Sequence, residues 1–178
     1  MSIQIYILSK LIEEDNYPYK LKKELSEPIP FDKMTNLTES KLYYHFESLT
    51  KQGLIEPTEV IKEENRPDKQ VFAITDKGRE QLPEKIYELF EKAHKVAEII
   101  IGIMFIRHVE TARVIRILET KITSMQKKQS NFHNIFEKIS VEDQQKDNVE
   151  FAYDYYTNVI ENEISWLEKL VQKLEKTV

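Results

Sequence analysis

Two short runs, IEPTEVIKE and KQVFAIT, gather Val, Ile, Phe and Thr on either side of the polar tip ENRPD. That pattern predicts a β-hairpin with a charged loop. The segments around it read as helices. Ile5, Leu8 and Leu11/Ile12 fall at helical spacing over residues 3–14, and NYPYKLKKEL offers Asn16 as a cap and Pro18 for the first turn of a second helix. The loop EPIPFDKMTN holds Pro28 and Pro30, which keep their neighbours extended. Thr38 is placed to cap a third helix over residues 39–52, and Gly53 to end it as the C′ residue. Thr75 caps the next helix, in TDKGREQL. Helix, helix, capped helix, hairpin, helix is the element order of a winged helix-turn-helix.

From about Pro83 the chain changes character, with little turn chemistry and long periodic segments. Ile86, Leu89, Phe90, Ala93 and Ala97 mark a helix leading into IIIGIMFI. Behind a cap at Thr111, the residues Ile115, Leu118, Ile122, Met125, Gln129, Phe132, Phe136 and Ile139 step by three and four. After the polar break SVEDQQKDN the pattern returns through Val149, Tyr153, Tyr156, Ile160, Glu163, Leu167, Leu170 and Leu174. Two such stripes and an apolar run are more apolar surface than a two-helix arm hides by itself. A symmetric homodimer is the commonest way to cover it, and a bundle closed within one chain is the alternative. The expected dimer contacts are Ile100, Ile103, Met104, Ile160, Trp166, Leu167, Leu170 and Leu174. The expected division is a winged helix-turn-helix over 1–82 and a helical dimerisation domain over 83–178, mainly α with one small hairpin.

Composition supports a helical chain: three Gly and six Pro in 178 residues. The absence of Cys removes disulfides and thiolate sites and fits a reducing compartment. The N-terminal MSIQIYILSK lacks a basic n-region, and IIIGIMFI is too short to span a bilayer, so a cytoplasmic protein is expected.

On the third helix Leu42, Phe46 and Leu49 share one face. Ser40, Tyr44, Glu47 and Lys51 lie opposite, with Lys41 and Ser48 on one flank and Tyr43 on the other. Lys, Ser and Tyr groups of this kind bond base edges and phosphates. The same row also suits the solvated side of an ordinary helix, and Glu47 opposes a phosphate contact. Residues 1–82 hold twelve Lys and Arg against fifteen Asp and Glu, so DNA binding must rest on a local positive stripe. Lys20, Lys22, Lys23, Lys41, Lys51, Arg66 and Lys69 are its candidates.

LYYHFESLTKQGLI, the hairpin with RPDKQVFAIT, and TDKG together resemble the winged-helix domain of PadR-type transcriptional regulators. Leu42, Tyr43, Gly53, Leu54, Ile55, Thr75 and Gly78 match that family's pattern, and Tyr19 and Leu21 resemble its Tyr-x-Leu. In the C-terminal half Glu163, Trp166 and Leu167 are similar to its Glu-x-x-Trp-Leu dimerisation motif. Tyr44 stands where the family usually has proline, Gln70 where a second basic residue is common, and Phe72 where tyrosine is usual.

The resemblance implies a homodimeric repressor on duplex DNA with an inverted repeat, contacted through Lys20, Ser40, Lys41, Tyr43, Tyr44, Ser48, Lys51, Arg66 and Lys69. It also implies release by a small aromatic or cationic molecule, for which Phe105, Phe132, Tyr153 and Tyr156 are the candidate lining. Plain dimer core is the competing role for those rings. No catalytic set, metal site or cofactor loop is expected: His45, His94, His108 and His133 are scattered and the glycines isolated. The competing function is a winged-helix protein–protein interaction module, which the negative charge permits.

Overall fold

A computed structural model describes residues 2–26, 39–62, 68–138 and 145–177. Thr38, Pro28, Pro30, Arg66 and Ile139 lie outside the described residues. The elements are α1 (Ser2–Glu13), α2 (Pro18–Ser26), α3 (Glu39–Lys51), β1 (Ile55–Ile61), β2 (Lys69–Ile74), α4 (Asp76–Lys92), α5 (Val96–Met104), a 3-10 turn (Ile106–His108), α6 (Thr111–Phe136) and α7 (Lys146–Glu175). None of the described helices is long and apolar enough to cross a membrane.

Contacts divide the chain into two units, residues 1–89 with 99–109, and residues 90–98 with 110–178. This differs from a break at Pro83. Pro83 lies inside α4, and the apolar row Leu82, Ile86, Leu89 and Phe90 runs on through it as buried side chains. The run IIIGIMFI, residues 99–106, likewise belongs with the first unit.

In the first unit α1 buries Ile5, Ile7, Leu8 and Leu11, and α3 buries Leu42, Phe46 and Leu49. Each of these side chains contributes about 2 kcal/mol by leaving water. The Tyr6 hydroxyl donates to the Leu21 carbonyl at 2.8 Å, tying α1 to α2, and burial pushes that phenol far above its ordinary pKa.

The end of α3 is built from local chemistry. Gly53 has φ +69°, Leu54 N–H bonds the Leu49 carbonyl at 3.0 Å, and Gly53 N–H bonds that of Thr50 at 2.9 Å. These two bonds make a Schellman motif, whose left-handed residue glycine adopts without a Cβ penalty. Thr75 Oγ1 then donates to the Gly53 carbonyl at 2.8 Å and accepts the Gly78 N–H at 3.1 Å, as the N-cap of α4. Lys77 Nζ adds a bond to the Gln52 carbonyl at 2.7 Å. The C-terminus of one helix is thereby stitched to the N-terminus of the next.

The hairpin is antiparallel, with Ile55 opposite Ile74, Pro57 opposite Phe72 and a register shift between Pro57 and Val60. Asn16 corrects the cap expected there. It is buried, and its main chain exchanges two bonds with Phe72, at 3.0 and 2.9 Å, as an isolated bridge beside β2. Tyr17 supplies the first carbonyl of α2, and Pro18 opens the helix as expected.

In the second unit α6 and α7 form an antiparallel pair. Phe132 packs on Tyr153 and Tyr156 with ring centroids 5.7 and 4.5 Å apart, and Phe136 stacks on Tyr153 at 3.9 Å. The polar members of the two stripes are also used. Gln129 donates to Glu161 at 3.0 Å, and Glu163 accepts the Val96 N–H at 2.8 Å, where a carboxylate complements the start of α5. The stripes read from the sequence therefore meet each other within one chain.

Candidate nucleic-acid interface

The first turn of α2, one flank of α3 and the hairpin enclose a cleft of about 890 Å3. Its walls carry Tyr17, Tyr19, Tyr43, Phe46 and Phe72, and its polar groups include Lys51, Lys69, Gln70, Glu47 and Asp68. The aromatic floor is packed, with the Phe46 and Phe72 ring centroids 5.0 Å apart. Phe72, where a phenol is common in the resemblance, thus serves as a packing residue. Lys69 Nζ stands 5.3 Å from the Tyr17 ring centroid, a cation–π distance that holds the ammonium beside the cleft.

Of the expected DNA-binding residues, Tyr43, Lys51 and Lys69 share this cleft. Ser40, Lys41 and Tyr44 are exposed on α3, Tyr44 at 66%. Two residues are less open than periodicity suggests. Ser48 Oγ accepts from Gln52 at 3.0 Å and Gln4 at 3.5 Å, so its hydroxyl is held against α1 and its own helix. Lys20 bonds Glu14 at 2.6 Å, an exposed pair that raises the lysine pKa and lowers that of the carboxyl. A phosphate approaching Lys20 has to compete with Glu14.

Gln70 also acquires a specific role. Its amide donates to the Glu59 carbonyl at 2.9 Å and the Val71 carbonyl at 3.0 Å, spanning the register shift of the hairpin. The departure from a basic residue exchanges a cation for a strap across an irregular ladder. Sequence reading missed Tyr17 as a wall of the cleft. The signal was present in Tyr17-Pro18-Tyr19, but the Asn16–Phe72 bridge that sets Tyr17 beside the hairpin is non-local.

The expected effector lining is divided. Phe132, Tyr153 and Tyr156 cluster in the second unit beside a hollow of about 560 Å3. Phe105 is buried in the first, its ring centroid 6.1 Å from that of Tyr6. Among the expected dimer contacts, Leu167, Leu170 and Leu174 are buried within the single chain, Ile100, Ile103 and Ile160 are half-buried, and Met104 and Trp166 are exposed.

A helix framed by a second helix and a two-stranded wing, with hydroxyls and cations on its open side, places the first unit in the winged helix-turn-helix class. This unit belongs to the transcriptional regulator PadR-like family, whose model matches residues 7–84. No curated protein matches the chain. Similar solved structures include Bacillus subtilis PadR in complex with operator DNA, at 16% identity and TM-score 0.44, covering 98% of this chain and 99% of that one. The same protein in complex with p-coumaric acid matches at 17% identity and TM-score 0.39, covering 98% and 99%. A PadR family transcription regulator from Clostridium difficile matches at 25% identity and TM-score 0.40, over 49% of this chain and 86% of that one.

Proposed function

We propose that this chain is a sequence-specific DNA-binding transcriptional regulator, a cytoplasmic homodimeric repressor that places two copies of α3 in successive major grooves of an inverted repeat. The observation that carries this reading is the α3 helix itself. Leu42, Phe46 and Leu49 are sunk in the core and Gly53, Thr75 and Lys77 lock its end, while Ser40, Lys41 and Tyr44 stand outward. A rigid scaffold presenting short polar, cationic and phenolic groups suits base-edge and phosphate contacts. Tyr43, Lys51 and Lys69 then flank the strand running past the wing. Selection of bound fragments from random duplex DNA tests the reading: a two-fold symmetric motif supports it. A negative gel shift at low salt with dimeric protein, over DNA from upstream of its own gene, overturns it.

The exposed side of α7 supplies the dimer surface in this reading. Phe151, Tyr155, Val159 and Trp166 follow one another at steps of four and seven and are exposed, Phe151 at 74% and Trp166 at 52%. This row replaces the buried leucines as the proposed contact with a second copy. Release by a small molecule belongs to the same proposal, with the second unit as its seat.

The specific observation favouring a protein-interaction module instead is charge. Glu14 already engages Lys20, and Glu47 and Asp68 line the cleft. Salt dependence separates the two: phosphate neutralisation lowers log K by about 0.9 per log unit of salt for every phosphate contacted.

A further inference from the structure

The outward row of α3 carries a carboxylate in its midst. Ser40, Tyr44, Glu47 and Lys51 fall within a strip about 60° wide when each residue turns the helix by about 100°. All four are exposed, and the buried Leu42, Phe46 and Leu49 lie on the far side of the helix. Glu47 also lines the cleft beside the wing, with Tyr43 one turn before it and Lys51 one turn after.

Among the described residues no hydrogen bond or ion pair holds the Glu47 carboxylate. Acidic groups elsewhere in this unit differ. Lys10 lies 3.4 Å from Glu13 and 3.1 Å from Glu24, and Lys20 lies 2.6 Å from Glu14. Lys51 stands four residues on from Glu47, the spacing of a helical ion pair, yet the two do not close on each other. The carboxylate is thus free to take a partner from outside the chain.

An unpaired carboxylate on a helix that meets DNA has two fates. Turned to the backbone, it is repelled by phosphate and lowers affinity for every sequence alike. Turned to the base edges, it needs an amine to accept from. In the major groove guanine presents two acceptors, thymine an acceptor and a methyl group, and adenine sets N7 beside its amine. Cytosine offers its N4 amine with no acceptor of its own next to it. The strip opposite the core is the side of α3 that looks into a groove, and Glu47 lies within it rather than on the flank of Lys41.

We infer that Glu47 selects a C·G pair in each half-site, its carboxylate accepting a hydrogen bond from the cytosine N4 amine. This role rests on the DNA-binding reading of α3 and adds a defined base to it. The negative charge that favours a protein partner in the competing reading becomes a source of sequence preference.

Selection from random duplex DNA with the native full chain, E47Q and E47A tests the role, followed by anisotropy titrations on the selected duplexes. The native motif should hold one cytosine per half-site that neither variant selects. E47Q should move that position towards adenine, whose N6 and N7 a carboxamide meets with two bonds, and E47A should leave it unselective. Replacing that C·G pair by T·A should weaken the native protein about tenfold and E47A hardly at all. Variants that bind every duplex more tightly by one factor, with the motif unchanged, would show a carboxylate that only repels phosphate, and would overturn the role. Variants equal to the native chain in both affinity and motif would do the same. A native chain that binds no duplex removes the DNA reading and this role together, whereas native binding without the cytosine dependence removes the role alone. Glu47 is exposed, so both variants should keep the native melting temperature and their losses report on the base contact.

Discussion

A Cβ built on Gly78 would lie 2.1 Å from the carbonyl oxygen of Leu54, and 2.7 Å from Cγ1 of Ile74. The first turn of α4 therefore approaches the start of β1 more closely than any side chain permits. The same Leu54 carbonyl accepts the Thr75 N–H at 3.1 Å, so it cannot move aside without breaking the junction that caps α4.

Gly78→Ala should destabilise the first unit by about 2–3 kcal/mol through backbone overpacking. Gly53→Ala should cost only about 1–2 kcal/mol, the strain of a left-handed residue, because nothing lies within 4 Å of its Cβ. Urea titration of both variants checks the order. Equal midpoints would show that the junction relaxes around a methyl group.

The DNA contacts divide into two kinds with different signatures. Lys41→Ala and Tyr44→Phe alter the outward row of α3 and should change the selected base profile as well as the affinity. Lys69→Gln removes a cation beside the wing and should weaken all sequences alike, lowering the salt slope by about one. Binding isotherms on selected and scrambled duplexes between low and moderate salt distinguish these outcomes. A scrambled duplex bound as tightly as the selected one by the native protein removes the basis for both.

The histidines predict the acid side of stability. Burial lowers the pKa of His45 and of His108 below the ordinary 6.5, and Nδ1 of the first and Nε2 of the second are buried without a partner among the described residues. Each binds its proton more weakly when folded, so the unfolded chain takes up more protons as pH falls. Their contribution is present above pH 6.5 and is lost as pH drops through the folded-state values. The urea midpoint should fall between pH 7.5 and 5.5, and the double variant His45→Leu, His108→Leu should show a shallower fall. A double variant with the native pH dependence would assign that slope to other groups.

Local chemistry made much of this fold legible. Leu42, Phe46 and Leu49 were separable from Ser40, Lys41 and Tyr44 by a 3.6-residue period, and Gly53 and Thr75 announce the ends of α3 and α4 by their own conformational preferences. What stayed hidden depends on pairings distant in the chain. Asn16 looks like a cap until Phe72 claims its main chain, and Gln70 looks like a lost cation until it straps the register shift to Glu59. Periodicity shows that α6 and α7 each have an apolar face but not what covers it. That ambiguity directed the expected dimer contacts to Leu167, Leu170 and Leu174, side chains the single chain buries for itself.

The dimer surface can be tested on the opposite side of α7. Tyr155 is exposed at 66%, and Trp166 is exposed with Lys169 Nζ 4.4 Å from its ring centroid. Neither is buried in the chain, so a charge introduced there disturbs the monomer little but is costly once a second copy covers it. The native chain should sediment near twice 21.2 kDa at low micromolar concentration, and Tyr155→Glu with Trp166→Glu should sediment as a monomer with an unchanged helical circular-dichroism signal. DNA affinity for a two-fold site should fall when dimerisation is lost, because the two half-sites are then bound independently. A native monomer would remove the surface and the inverted repeat together. A double variant that remains dimeric would move the contact elsewhere, leaving Met104 and the half-buried Ile100 and Ile103 as the next positions to charge.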